Sequence, residues 1–341
     1  MSFKCAFLGC GGRSRAHAWV YPNITRGVPV ACCDLIEEKA RKYADEFGIP
    51  TWYTDLDEML EKEKPDLVHM VMPPTIRVSL MTRLADAHVP AVIVEKPICI
   101  GADDYKALRA LQARSDTKFA VNHQLRYHER VKELLAYVEE GGIGQVRFLD
   151  ASAVLPMSGQ GVHVLDLMFA FAGYEPVETV FGASAGYDDI NGTHPSPRTA
   201  ESLITFPSGK RAALQSGAGA PMMAKDQPRH MHKRIAAYGT RGFIHWTMWS
   251  WERTGPDGKL ESGEHVYREV DDVGQANLTN AMFDWLEDDN KVAPTNLSTS
   301  LDEWLVILAG YQSTVTQNPV DLPFDPPDDL LDQFRAFVGA Q

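Results

Sequence analysis

No apolar run in this chain approaches the roughly 18 residues needed to cross a bilayer, so no membrane partner is expected. The first dozen residues hold one early lysine, a short apolar stretch and then glycines. That is too little for the core of a signal peptide, and a cytoplasmic location is expected. Cysteine is scarce: Cys5, Cys10, Cys32, Cys33 and Cys99 all fall in the first third, and none has the C-x-x-C spacing of a zinc or redox site. An odd number with two adjacent members does not suit a disulfide framework, which leaves small apolar fillers on buried strands as the expectation. Basic charge is also short, with 33 lysines and arginines against 46 acidic residues and a formal net charge of -13. Such a surface repels phosphate backbones, so no nucleic-acid partner is expected. What remains is an ordinary globular composition, 44% hydrophobic and 23% charged, in 341 residues that suffice for about two domains.

Short apolar runs at 3–8, 28–33, 67–72, 91–94 and 118–121, with a weaker one at 51–53, alternate with amphipathic stretches at 36–47, 56–63, 77–87 and 103–114. Continuous apolar strands alternating with helices predict an α/β fold, a doubly wound parallel sheet covered on both faces. The ligand crevice of such a sheet lies at the carboxyl ends of its strands.

Three of those ends carry chemistry. The first strand runs into residues 9–14, GCGGRS, a G-x-G-x-x-S form of the dinucleotide fingerprint, with a helix expected to follow at 15–21. Gly9 permits the tight turn, Gly11 lets a pyrophosphate approach the backbone, and Ser14 is small enough to keep helix and strand close. About 20 residues on, Asp34 ends the second strand, where a carboxylate binds the adenosine ribose hydroxyls and repels a 2'-phosphate. Leu35 follows where an NADP enzyme often has a basic residue, so NAD is the expected cofactor. Asp34 also suits the N-cap of the next helix. Prolines 73 and 74 stop the strand at 67–72, and the run at 91–94 delivers Glu95-Lys96-Pro97, either an ion pair at the sheet edge or a lysine placed near a reacting carbon.

At this point the chain resembles the glucose-fructose oxidoreductase, inositol dehydrogenase and rhizopine-catabolism (Gfo/Idh/MocA) family of NAD(P)-dependent oxidoreductases. The resemblance rests on GCGGRSRAH at 9–17, Asp34, Met72-Pro73-Pro74, Glu95-Lys96-Pro97, NHQLRY at 122–127, IGQV at 143–146, HVLD at 163–166, GTRG at 239–242 and Tyr311-Gln312-Ser313. It implies a Rossmann domain, 1–122, followed by an α/β domain with a large open, mostly antiparallel sheet, 123–341, for substrate binding and oligomerisation. It implies Lys96 and His163 as the catalytic pair, with histidine as the base and lysine holding the alcohol oxygen. Cofactor contacts are expected from Gly9, Gly11, Arg13, Ser14, Asp34, Met72, Pro73, Glu95, Lys96 and Arg126. Substrate contacts are expected from Lys96, Asn122, Gln124, Gln160, His163 and Asp166. Two positions depart from the family pattern: Gly159 stands where many members have an aspartate four residues before the histidine, and Arg77 where a histidine often follows the prolines.

Strands are expected at 146–155, 178–184, 200–206, 211–216, 234–238 and 243–249, and helices at 275–288 and 300–317. The open face of that sheet suits a homodimer or homotetramer. The basic stretch 229–234, RHMHKR, suits either an anionic substrate group or a solvated loop; no metal site is expected, because His230 and His232 lack further ligands at a matching spacing. Trp246, Trp249 and Trp251 suit either a sugar ring or a sheet interface. The expected activity is NAD-dependent hydride transfer from a secondary hydroxyl of a sugar, cyclitol or sugar derivative. A redox-neutral NAD-dependent glycosidase and a non-catalytic NAD-binding sensor are the alternatives.

Overall fold

The N-terminal apolar runs pair into a single parallel sheet. In the computed structural model, which describes residues 2–187, 192–224 and 226–339, these are β1 (Phe3–Leu8), β2 (Gly27–Cys33), β3 (Thr51–Tyr53), β4 (Leu67–Met70), β5 (Ala91–Val94) and β6 (Lys118–Val121). Their order is β3-β2-β1-β4-β5-β6, the doubly wound order whose direction reverses between β1 and β4. Every residue of β4 and β5 is buried, as strands covered on both faces require. Helices α1 (Gly12–Ala18), α2 (Glu37–Phe47), α3 (Leu56–Glu63), α4 (Arg77–Asp86) and α5 (Ala102–Arg114) fall between them. Local chemistry sets their ends. The Asp55 carboxylate accepts from the Glu58 amide to cap α3, and Gly48, at φ 64°, ends α2 in the left-handed conformation. The strand expected to reach residue 72 ends at Met70, two residues earlier, because the chain turns toward the prolines.

The chain divides into two compact units. One holds Met1–Cys99, Ala107–His128 and Arg268–Leu301, the other Ile100–Lys106, Glu129–Tyr267 and Asp302–Gln341. In the second, α6 (Glu129–Glu139) leads to a nine-stranded sheet formed by β7 (Val146–Ala153), β8 (Thr179–Ala185), β9 (Thr199–Thr205), β10 (Arg211–Gly217), β11 (Lys233–Gly239), β12 (Phe243–Thr247), β13 (Ser250–Thr254), β14 (Leu260–Glu264) and β15 (Val320–Asp321). The β7–β10 pair is parallel and the other neighbours are antiparallel. The hairpin β13–β14 is absent from the sequence expectations because its residues are polar and only half-buried, so no apolar alternation marks it. Helix α7 (Val162–Phe171) is buried along its whole length.

The unit built on the parallel sheet takes in a segment well past residue 122. Helix α8 (Tyr267–Glu287) turns Leu278, Met282 and Phe283 into the same core as Cys5, Phe7 and Cys32. Phe283 stacks on Phe3 at 4.6 Å, and a Cβ on Gly27 would lie 2.5 Å from the Phe283 ring, so glycine is what lets β2 approach the helix. Arg26 pairs with Asp284 and Glu287 at 2.6 and 2.8 Å. Helices α9 (Leu297–Thr316) and α10 (Leu330–Gly339) complete the chain. All five cysteines are buried thiols outside any disulfide, packed as small side chains.

Candidate active site

The glycine turn after β1 has the geometry its sequence requires. Gly9 has φ +93°, and a Cβ there would sit 2.4 Å from the Val71 carbonyl oxygen, so no other residue fits. Gly11 precedes α1 with open space where its side chain would be, and the first amides of α1 have no partner within the helix. Asp34 reaches back to this turn. Its Oδ2 accepts from the Cys10 amide at 3.0 Å and its Oδ1 from the Ile36 amide at 3.0 Å. The carboxylate therefore braces the turn and closes its own loop; it is not the N-cap of α2, whose N-cap residue is Ile36. Leu35, 85% exposed, leaves the surface beside Asp34 apolar and uncharged. Ser14 packs inside, as a small residue between helix and strand can. Its side chain is fully buried, with the hydroxyl 2.8 Å from Tyr43 Oη, so it ties α1 to α2 and leaves only its main chain to face a cofactor.

Met72 lies against the turn, its Sδ 2.8 Å from where a Gly9 Cβ would be, and Pro73 continues the chain in extended form. Arg77, buried to 1% exposure, donates from Nη2 to the Met72 carbonyl at 2.7 Å. The departure from the family histidine is thus a brace under the loop.

Glu95 gathers the strand ends. Its Oε1 accepts from Arg13 Nε at 2.7 Å, His17 Nε2 at 2.9 Å and Asn122 Nδ2 at 2.7 Å. Burial alone would raise its pKa, but Arg13 and His17 hold the carboxyl well below the usual carboxylate range. Lys96 follows it, and burial lowers its pKa, with Glu95 pulling up and Arg13 and Arg77 pushing down. His123 is buried and pushed down to about 3, first by burial and then by Lys96. Two acceptors here have no protein partner: Asn122 Oδ1 and Gln124 Oε1, in residues 0% and 4% exposed. Buried acceptors in this state suit an amide or hydroxyl donor from a bound molecule, and the open space at Gly11 suits a phosphate. These residues fit a dinucleotide. Arg126 is nearly buried in the single turn Gln124–Tyr127 that follows β6.

In the other unit, His163 is the second residue of α7 and is 3% exposed; Asp166, one turn on, is fully buried. The turn Met157–Gly161 delivers this helix and includes the half-exposed Gln160. A Cβ at Gly161 would meet Met157 Sδ at 2.6 Å and Ser216 Cβ at 3.1 Å, which is why the lead-in is glycine-rich. Gly159, by contrast, faces open space, so an acidic side chain there would meet no obstacle.

The basic stretch is tied in part to the framework, while Arg229 and His230 stay exposed. Arg234 pairs with Asp150 at 2.6 Å, Arg229 donates to the Val154 carbonyl, Lys233 donates to the His230 carbonyl, and His232 bonds the Met223 amide and the Gln227 carbonyl. Trp246 is fully buried and stacks on His265 at 6.0 Å, Trp249 meets His232, and Trp251 lies under the Arg130 guanidinium at 4.0 Å. Sequence reasoning did not single out His17, His69 or Tyr21, which bond to or lead toward Glu95. The signals were a histidine in the helix of the glycine motif and a polar residue inside the apolar strand LVHM.

Residues 3–123 match the family described as oxidoreductase family, NAD-binding Rossmann fold. The D-apiose dehydrogenase of Paraburkholderia graminis is 28% identical over 226 residues, 61% of this chain and 58% of that protein, so the match spans less than two thirds of that relative. The myo-inositol 2-dehydrogenase of Thermotoga maritima is 23% identical over 71% of this chain and 74% of its own length. An Agrobacterium radiobacter oxidoreductase, solved with NAD+, L-tartaric acid and magnesium, shares the fold at TM-score 0.80, 19% identity and coverage of 94% of this chain and 98% of that one. Among the described residues, no helix is long and apolar enough to cross a membrane. The glycine turn, Asp34 and the Glu-Lys-Pro strand end all lie inside residues 3–123, the segment that matches the NAD-binding Rossmann oxidoreductase family.

Proposed function

We propose that the chain is an NAD-dependent dehydrogenase of a secondary hydroxyl on a sugar, cyclitol or sugar derivative. The observation that carries this reading is Lys96 at the carboxyl end of β5, beside a Glu95 carboxylate pinned by three donors, two of them on the helix of the dinucleotide turn. The sugar and inositol dehydrogenases among its relatives point to the same substrate class. Bound NAD supplies the hydride acceptor. Lys96 holds the alcohol oxygen and stabilises negative charge on it, and His163 takes the hydroxyl proton. Gly9, Gly11 and Arg13 hold the pyrophosphate, Asp34 the ribose, Met72, Pro73 and Arg126 the rest of the cofactor. Asn122, Gln124, Gln160 and Asp166 orient the substrate.

Incubation with NAD and a panel of sugars, cyclitols and glycosides, followed by NADH absorbance and product mass, tests this. Accumulation of NADH with a polyol is expected. Glycoside cleavage without NADH would select the redox-neutral glycosidase, and no turnover of any kind would overturn both. Asp34→Ala should weaken NAD about 10- to 100-fold, the worth of a charge-assisted hydrogen bond; unchanged affinity would remove the ribose assignment.

A second copy of the chain is the proposed protein partner. One face of the nine-stranded sheet carries Phe181, Leu203, Phe148 and Tyr238, which are 44%, 58%, 37% and 42% exposed. Phe181 pairs with Leu203 and Phe148 with Tyr238, so their side chains share that face. Light scattering should give a multiple of the chain mass, reduced by Leu203→Glu; a monomeric wild type would refute it.

A further inference from the structure

A line of buried polar side chains leads from the core of the parallel sheet to Glu95, and the dehydrogenase reading leaves it without a role. Tyr21 Oη lies 2.7 Å from His69 Nε2, His69 Nδ1 lies 3.1 Å from His17 Nδ1, and His17 Nε2 lies 2.9 Å from Glu95 Oε1. His69 and His17 are fully buried. His69 sits in β4 between Val68 and Met70, where a polar ring is costly unless both its nitrogens are bonded. Phe7 stacks on it at 4.9 Å with 12° between the planes, which fixes the ring's orientation.

The contacts allow one consistent direction of donation. Glu95, as a carboxylate, only accepts, so His17 donates from Nε2. Asn122 Nδ2 converges on the same oxygen, which is why it also lies 3.1 Å from His17 Nε2. A neutral imidazole that donates from Nε2 accepts at Nδ1. His69 must then donate from Nδ1, and its Nε2 accepts from the Tyr21 hydroxyl. If both rings were cations, two N–H groups would point at each other across the 3.1 Å Nδ1 contact. Burial favours the neutral forms: it pushes His69 well below its ordinary value and lowers His17 although Glu95 pulls that ring up.

We propose that His69 is a positioning residue: its Nδ1–H sets the tautomer of His17, whose Nε2–H in turn holds Glu95 and the strand end that presents Lys96. This rests on the dehydrogenase reading for its catalytic consequence and on geometry alone for its tautomers.

Two measurements test it. The first uses the full chain with NAD, labelled with 15N at histidine, and reads the ring tautomers from long-range proton–nitrogen spectra at neutral pH. His17 should carry its proton on Nε2 and His69 on Nδ1; the reverse tautomers, or a cation at either ring, would overturn the proposal without reference to any substrate. The second uses the substrate that the panel identifies. His69→Leu should lower kcat about 10- to 100-fold, the scale of an ångström-level misplacement, with KM changed by less than about threefold. His69→Asn places a donor where Nδ1 stood and should restore most of kcat, whereas His69→Gln, with its donor at the Nε2 position, should not. Equal loss in the Asn and Gln variants, or an effect confined to KM, would overturn the positioning role. Should His69→Leu fail to fold, the Asn and Gln pair still decides. Absence of turnover in the wild type would refute the dehydrogenase reading, while altered tautomers with turnover intact would refute only this inference.

Discussion

Lys96→Ala is expected to lower kcat by about 10²- to 10³-fold while NAD affinity stays close to wild type, the size of loss seen when one pre-positioned donor to a developing oxyanion is removed. The lysine follows Glu95 in a site where burial disfavours the charged form and Glu95 offsets only part of that. Its ammonium loses its proton below the ordinary lysine value of 10.5, so the alkaline limb of the rate profile should come earlier than for a free lysine. His163→Ala should cost about 10²- to 10⁴-fold through loss of the base. The double variant should lose far less than the product of the two, because groups that act as a unit are not additive. Stopped-flow measurement of NADH formation with each variant checks this. Turnover unchanged in both single variants would remove Lys96 and His163 as the catalytic pair, whereas biological activity intact in both, with no NADH formed by any form of the protein, would favour the sensor reading.

Acid should unfold this protein early, because its Rossmann unit buries neutral histidines. His17, His69 and His123 all have folded-state pKa values below the ordinary 6.5, with burial the main cause in each. Below pH 6.5 the unfolded chain takes up protons that the folded chain refuses, so stability falls as pH falls, by about 1.4 kcal/mol per pH unit for each such group. For His123 the loss continues down to its folded value of about 3. At pH 5 that residue alone removes about 2 kcal/mol. Glu95 adds a later loss: its contribution is present above the ordinary 4.5 and disappears as pH falls through its depressed folded value. Urea midpoints measured from pH 7.5 to 5 should fall steeply, and His123→Gln should flatten the fall. A flat midpoint across that range would show that these rings are not held neutral.

The half of the site that was legible in the sequence consists of groups whose chemistry depends on the backbone next to them. Gly9 must adopt a positive φ and lie against Val71, Asp34 must end β2, and Lys96 must end β5; each is written in a strand-and-turn pattern a few residues long. The partners of Glu95 were not legible. Arg13, His17 and Asn122 lie 82, 78 and 27 residues away in the chain, and only the adjacency of β1, β5 and β6 to the helix after β1 brings them onto one oxygen. Arg77 likewise reads as a departure in sequence and becomes a brace once the Met72 carbonyl is beside it. The basic stretch 229–234 shows the reverse, a cluster conspicuous in sequence that the fold splits, pairing Arg234 with Asp150 and leaving Arg229 and His230 exposed.

By itself, the sequence determined the parallel α/β unit, its glycine turn after β1 and the mostly antiparallel sheet that follows, because periodicity and turn chemistry act over short stretches of chain. Tertiary structure alone decided that α8 returns to pack on β1 and β2, that Ser14 faces the core, and that His69, Tyr21 and His17 line up behind Glu95. Those are long-range contacts, set by which apolar faces find each other and by the need of each buried polar group for a partner, and neither is carried by the spacing of residues along the chain.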